Sequence, residues 1–456
     1  MALRAASTRD MTRGPILRQI LLFSLPLMLG NVFQMLYNTV DSVVVGNFVG
    51  KEALAAVGAT TLIVNMMVFF FNGFSIGAGV VIARHFGARD HERLHTAIET
   101  TMAVTFILCA AFTALGLILV RPMLRLMATP EDVFEDAVTY LTIYFYGFSG
   151  LLIYNMGSGI LRAVGDTTRP LLFLILTSLL NIALDLAFVI GLKAGIAGVA
   201  WATIISQLIS AILTLRLLTR SDDIYRLVWR DLSVDAAVLK RIVAVGLPAG
   251  LQSVVTAFSN IFVQSYINFF GSGCMAGWSC YNKVDQFIML PMQSTAMAAT
   301  TFVSQNIGAK QNRRAHRGTL AAIGLSMAIT GGVGLLIMVF AVPAVKLFSP
   351  DPVVIDFGVL FIRANTLFLL FNCVNHTLAG ALRGRGDSRG PMAIMLLSFV
   401  AIRQVYLFVL TRYIVNTPFW VGFGYPVGWM CCFVIEVGYY ILKWGRRIRA
   451  EEGTSS

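Results

Sequence analysis

The chain has 456 residues, 57% of them hydrophobic and 13% charged, with a mean hydropathy of +0.76. A soluble protein carries about 25% charged residues, so this composition excludes a water-soluble fold and predicts an all-α polytopic membrane protein. Short segments of alternating hydrophobicity are absent, which excludes a transmembrane β-barrel.

Spans of about 20 apolar residues recur twelve times, near 17–42, 57–82, 97–120, 134–160, 170–191, 196–218, 242–269, 276–304, 319–342, 354–380, 391–411 and 419–442. That is six per half. The division predicted from them is a cytoplasmic tail over 1–15, a first lobe over 16–220, a linker over 221–240, a second lobe over 241–442 and a tail over 443–456. Met1 to Arg18 is basic and polar, and the apolar run after it is too long for a cleavable signal peptide.

Span one contains Pro26. A mid-span proline removes a backbone hydrogen bond and kinks the helix, which makes Pro26 a hinge candidate. Tyr37 and Asp41 follow one turn apart near the outer end of the same span.

Between spans four and five lies Leu161-Arg162-Ala163-Val164-Gly165-Asp166-Thr167-Thr168-Arg169-Pro170. It returns as Leu382-Arg383-Gly384-Arg385-Gly386-Asp387-Ser388-Arg389-Gly390-Pro391. Ser24-Leu25-Pro26 is matched by Gly246-Leu247-Pro248, and Phe86-Gly87-Ala88-Arg89 by Ile307-Gly308-Ala309-Lys310. Three landmarks in one order at nearly one spacing mark a duplicated chain, hence two pseudo-symmetric six-helix bundles. Arg162 and Asp166, four residues apart, are expected to pair or to cap neighbouring helix ends. The polar stretch from Arg216 to Arg241 reads as a linker with an amphipathic piece on the inner membrane surface.

The net charge of +12 would suit nucleic acid, but its distribution removes that partner. With the N-terminus inside, 26 of the 35 Lys and Arg fall on the inner side, six fall outside and three lie within spans. The positive-inside rule therefore places both termini in the cytoplasm of a prokaryotic inner membrane. The basic residues contact lipid headgroups. None of the six cysteines makes a CxxC or Cys/His metal pattern, and no catalytic constellation is present, so no enzyme and no cofactor are expected.

Ionisable side chains inside a span cost several kcal/mol unless they have a partner or a cavity. Asn181 and Asp185 on span five are four apart and share a helical face. At 1.5 Å per residue Asp185 lies ~22 Å from the cytoplasmic end, and Thr203 on span six ~9 Å from the outer end. With Asp41 and Tyr37 they converge on one depth. Two carboxylates, an amide and a hydroxyl suit a proton or Na⁺, a hard cation that takes oxygen ligands. The counterparts of Asp41 and Asp185 in the second half fall near Val263 and Tyr406, so the acidic pair is not duplicated. The second lobe carries Lys283, Asp285, Gln286, His376, Arg403 and Glu436. Arg403 lies ~18 Å into its span and needs a counter-charge, for which Asp285 is the candidate. Lys283, Asp285, Gln286, Arg403 and His376 are the candidate substrate cavity.

The paired LRxxGDxxxP loops, the FGA and IGA loops, and Asp41 with Asn181-x-x-x-Asp185 resemble the multidrug and toxic compound extrusion (MATE) transporters over about 16–442. The resemblance implies cation-coupled antiport, by H⁺ or Na⁺, of amphipathic organic cations by a monomer. It implies that Asp41, Asn181, Asp185 and Thr203 form an N-lobe coupling site. Another branch of the family carries acids on its seventh and tenth helices, where this chain has Gln264, Asn372 and Asn375. The alternative reading is a flippase for a lipid-linked precursor, which would want a cationic central cavity.

Overall fold

The computed structural model describes residues 8–221 and 223–445. Arg4 and the C-terminal tail beyond Gly445 lie outside the described residues. Apart from turns and connecting loops, those residues are helical. In the first half the helices are α1 (Ile16–Val44), α2 (Lys51–Ala88), α3 (His91–Leu126), α4 (Glu131–Ala163), α5 (Thr168–Leu186) and α6 (Gly195–Arg220). In the second they are α7 (Ala236–Asn268), α8 (Ser272–Gly308), α9 (Asn312–Val339), the short α10 (Ala341–Lys346), α11 (Pro352–Thr366) and α12 (Leu369–Gly384). α13 (Arg389–Leu396) and α14 (Arg403–Val409) follow, then α15 (Pro418–Gly422) and α16 (Gly424–Tyr440). Ten segments are long and apolar enough to cross a membrane, and α11 with α12 forms an eleventh, bent by 54°. The 37-residue α8, which carries Lys283 and Asp285, completes twelve. π-Helical turns continue α1 (Val45–Val49) and α5 (Ala187–Gly191) and join α13 to α14 (Leu397–Ile402).

The duplication is visible in the backbone. Arg89 and Lys310 close α2 and α8 with φ of 57° and 59°, a left-handed end of helix in both copies. Gly165 and Gly386 take φ of 89° and 87° in the two decapeptides. A residue with a side chain is strained at such angles, which explains the shared glycine. The aspartate after each glycine then caps the following helix. Asp166 Oδ1 accepts from the N–H of Thr168 and of Arg169, each at 3.1 Å. Asp387 Oδ1 accepts from the Gly390 N–H at 3.2 Å. Such a cap is worth about 1 kcal/mol.

Two compact units result, residues 29–247 with 1–10, and residues 248–456 with 11–28. This corrects the division expected from sequence. The start of α1 belongs with the second unit because Ile20 and Phe23 pack with Met11, Ala298, Ala299 and Phe302 in one buried cluster. The start of α7 belongs with the first because Gly77 of α2 approaches its backbone. A Cβ on Gly77 would meet Ile242 O at 2.4 Å.

In the first unit, α4 is the central helix and packs on α2, α3 and α6. The approach is close because Gly147 and Gly150 face Ile204 and the Leu208 backbone. The linker is not an amphipathic surface helix. Tyr225 and Leu227 are buried in this unit's core, and the Asp235 N–H donates to Thr100 Oγ1 at 3.1 Å. In the second unit, α8 packs on α9, α11 and α12, with Gly380 against the Ala296 carbonyl. The predicted N-terminal tail ends in this unit as a fixed strap. The fully buried Met11 donates its N–H to Gln305 Oε1 at 2.9 Å, and Arg314 Nη2 donates to Gly14 O at 2.8 Å.

The decapeptide pairing differs from expectation. Asp166 pairs with Arg169, at 3.5 Å, and not with Arg162, whose Nη2 donates to Ser75 Oγ at 3.3 Å. Arg169 Nη1 also donates to the Tyr225 hydroxyl, which donates to Asp223 Oδ2 at 2.8 Å. In the second copy Tyr439 and Lys443 take this place, each 2.7 Å from Asp387 Oδ2. The physical reason is direction. Arg162, on the last turn of α4, reaches Ser75 of α2, whereas Arg169 is on the first turn of α5, which Asp166 caps. Asp166→Ala is expected to cost about 1–2 kcal/mol by removing the cap and one of the two carboxylates that face the buried Arg169, lowering the thermal midpoint of the purified protein. Asp166→Asn, which keeps the cap, should lose less. Burial, with Asp223 adding, pushes the Tyr225 phenol up to about 12. Its raised value means the contribution of this latch is complete below pH 10 and lost as pH rises toward 12. The difference in stability between wild type and Tyr225→Phe should be constant up to pH 10 and shrink above it.

Candidate functional site: a buried carboxyl pair in the first unit

α1 supplies Tyr37 and Asp41, α5 supplies Asn181 and Asp185, and α6 supplies Thr203. Asp185 is fully buried and Asn181 is 2% exposed. The Asp41 and Asp185 carboxyls come within hydrogen-bonding reach of each other. Among the described residues, no N–H or O–H reaches Asp41 Oδ1 or either Asp185 oxygen. Both side-chain atoms of Asn181 also lack a partner, as do Ser178 Oγ, Ser206 Oγ and Gln207 Oε1. Two carboxylates within reach of each other, one fully and one half-buried, with no donor to three of their four oxygens, need a proton or a cation between them.

The surroundings fit that need. The phenols of Tyr37 and Tyr140 lie within electrostatic range of both carboxyls. Tyr37 hydrogen-bonds the Gln34 side chain, so it neighbours Asp41 without donating to it. Tyr140 stacks near Tyr144, with centroids 6.5 Å apart, and Tyr144 lies within electrostatic range of Tyr37. Thr203 donates its hydroxyl to Val199 O at 3.1 Å, which leaves its oxygen lone pairs available to a cation. Sequence reasoning missed Tyr140, Tyr144, Ser206 and Gln207. The i, i+4 spacing of the two tyrosines on α4 was the available signal. No cluster of three or more His, Cys, Asp or Glu side chains occurs among the described residues, so two acids are all the charge this site has.

The second unit is built differently. Arg403 does not pair with Asp285. Its Nη2 donates to Ser259 Oγ at 2.8 Å and to Asn260 Oδ1 at 2.9 Å. The guanidinium lies 4.8 Å from the centre of the Tyr425 ring. Tyr425 is in electrostatic range of both Arg403 and Asp285; the arginine is held through Nη2 by neutral oxygens on α7 and not by a carboxylate. Asp285 Oδ1 has no partner. Lys283 is exposed and sits over the Phe348 ring at 5.2 Å. Gln286 is exposed, and His376 is half-buried within range of Arg383. A crevice of about 710 Å³, lined by Ile355, Arg363, Phe368, Phe419 and Phe423 among others, shares no residue with this polar set. Gln264 bonds Asn268 at 2.8 Å, and Asn375 bonds the Trp429 carbonyl at 2.9 Å.

The family model described as MatE matches the chain twice, over residues 26–187 and 248–409. The chain belongs to this family. The two matches are of equal length and begin on Pro26 and Pro248, 222 residues apart. The chain is 29% identical to the probable multidrug resistance protein YoeA of Bacillus subtilis, covering 96% of each. It is also 29% identical to the probable multidrug resistance protein YpnP of the same organism, covering 96% of this chain and 97% of the relative. Among solved structures it is similar to an outward-facing multidrug resistance MATE family transporter of the MOP superfamily. The TM-score is 0.91 and the identity 25%, over 98% of this chain and 99% of that one. The resemblance seen in the motifs is thereby established. This MATE chain is a multi-pass membrane transporter and not an enzyme.

Proposed function

We propose that this MATE protein is an H⁺- or Na⁺-coupled antiporter that exports amphipathic, cationic organic compounds by alternating access. Pro26 is the hinge, and the protein works as a monomer. The observation that carries the reading is the pair of half-buried Asp41 and fully buried Asp185, with no protein donor to Asp41 Oδ1 or to either Asp185 oxygen. Such a pair holds a monovalent cation or a proton tightly in one conformation and weakly in another. Coupling requires that difference and nothing more. Asn181 and Thr203 supply further oxygens, and Tyr37 with Tyr140 closes the site against bulk water. The multidrug resistance relatives support organic compounds as cargo. Both termini are cytoplasmic, on the inner membrane of a prokaryote.

The test is transport of a fluorescent lipophilic cation by wild-type proteoliposomes under a pH gradient alone, a Na⁺ gradient alone, and neither. One gradient should accelerate transport at least about fivefold, the lower end of ordinary coupling between sites. Equal rates in all three conditions would remove antiport.

A further inference from the structure

The two family matches are of equal length and both begin and end 222 residues apart. At that offset Tyr37 falls on Ser259, Asp41 on Val263, Asn181 on Arg403 and Asp185 on Leu407. Two of these second-unit residues are in contact, and Tyr425 joins them. Arg403 donates to Ser259 Oγ at 2.8 Å and lies 4.8 Å from the centre of the Tyr425 ring. At these positions the second unit has aliphatic residues in place of both acids and a guanidinium in place of the amide.

Arg403 is 2% exposed. A buried guanidinium normally faces a carboxylate, because its desolvation cost is large without one. Here the described hydrogen bonds all use Nη2 and reach neutral oxygens. Nε has no acceptor. Among the described ion pairs none includes Arg403. The backbone is also altered at this point. The π-helical stretch Leu397–Ile402 ends immediately before Arg403, whereas the counterpart Asn181 sits inside the regular α5. π-Bulges re-aim side chains and are frequent at functional sites.

We infer that Arg403, with Ser259 and Tyr425, forms an oxyanion-binding site in the second unit that takes the carboxylate or phosphate group of a transported amphiphile. Arg suits this ligand because its planar fork matches two oxygens at once. Its position over an aromatic face leaves the fork's edge for the ligand. The inference rests on the export reading for its occupant. It adds to the cationic cargo amphiphiles that also carry an oxyanion, that is zwitterions.

The experiment compares rhodamine B, which has a free carboxylate, with its methyl ester, which does not. Binding of each to the full-length protein is measured in phosphatidylcholine nanodiscs. The acid is expected to bind wild type at least tenfold more tightly than the ester. In Arg403→Gln the acid should lose that advantage while ester affinity stays within twofold, and Arg403→Lys should recover part of it. Equal binding of the two dyes to wild type overturns the anion site, and it does so without any variant having to fold. Equal loss of both dyes in Arg403→Gln also overturns it, by assigning Arg403 a structural role. An advantage seen in phosphatidylcholine but abolished by added phosphatidylglycerol gives the site to lipid phosphate and overturns the assignment to cargo. Failure of both dyes to bind wild type sinks the export reading itself; binding of the ester with no advantage for the acid sinks the anion site alone.

Discussion

Asp185→Asn is expected to reduce gradient-driven transport by about 10- to 100-fold, the range that coupling energies of a few kcal/mol produce, with the protein still folded in the membrane. Asn keeps the shape and adds a donor toward Asp41, so packing is retained while the exchangeable charge is lost. Asp41→Asn should have a similar effect. The double variant should be little worse than either single one, because two groups that hold one ion act as a unit. Asp285→Asn is the control. That acid belongs to the other unit, and its removal should leave the ion dependence in place. The measurement is proteoliposome transport with protein amount matched by immunoblot. Intact coupling in Asp185→Asn would remove the pair from the mechanism.

Gly77→Leu is expected to prevent recovery of folded protein. A Cβ there would lie 2.4 Å from Ile242 O and 2.7 Å from Gly246 N, and both are backbone atoms that cannot rotate away. Gly246 in turn faces Gly73 O and the Phe74 Cα, each at 3.0 Å. Gly73 and Gly77 form a GxxxG pair on α2 that lets two helix backbones approach without intervening side chains. Overpacking costs about 1–3 kcal/mol where side chains can shift, and backbone contact exceeds that. Gly58→Leu on the same helix is the control, since a Cβ there meets nothing within 4 Å. Size-exclusion chromatography in detergent should show a single peak for wild type and Gly58→Leu, and aggregate for Gly77→Leu. A monodisperse Gly77→Leu protein with wild-type thermal stability would contradict the packing described for α2 and α7.

What the sequence disclosed follows a physical pattern. Membrane spans are legible because lipid requires about 20 apolar residues at a time. The repeat was legible because a positive φ at Gly165 and Gly386, and a capping Asp after each, admit few substitutes. Asp41 and Asp185 stood out because charge within a span is costly and therefore rare. Partners were less legible. Charge balance alone proposed Asp285 for Arg403 and Arg162 for Asp166, yet neutral oxygens on α7 hold the first and a neighbouring arginine the second. Which group an arginine reaches depends on helix rotation and on turns such as the π-helical Leu397–Ile402, and neither is written in spacing. The N-terminal strap was missed for a similar reason. Met11 lies in a basic, polar stretch, and only the cluster with Phe23 and Phe302 shows that it is core.

The central claim is that one ion and the cargo compete through the carboxyl pair. The most direct measurement is the dissociation constant of tetraphenylphosphonium, a lipophilic cation, in nanodiscs across a matrix of pH and Na⁺ concentration. Wild type, Asp41→Asn and Asp185→Asn are compared. Linkage is reciprocal, so an ion displaced by cargo must weaken cargo binding by the same factor. The account predicts at least an about fivefold rise in the wild-type constant along one axis, and a flat surface for both variants. A flat wild-type surface, or variants that keep the wild-type dependence, would contradict it.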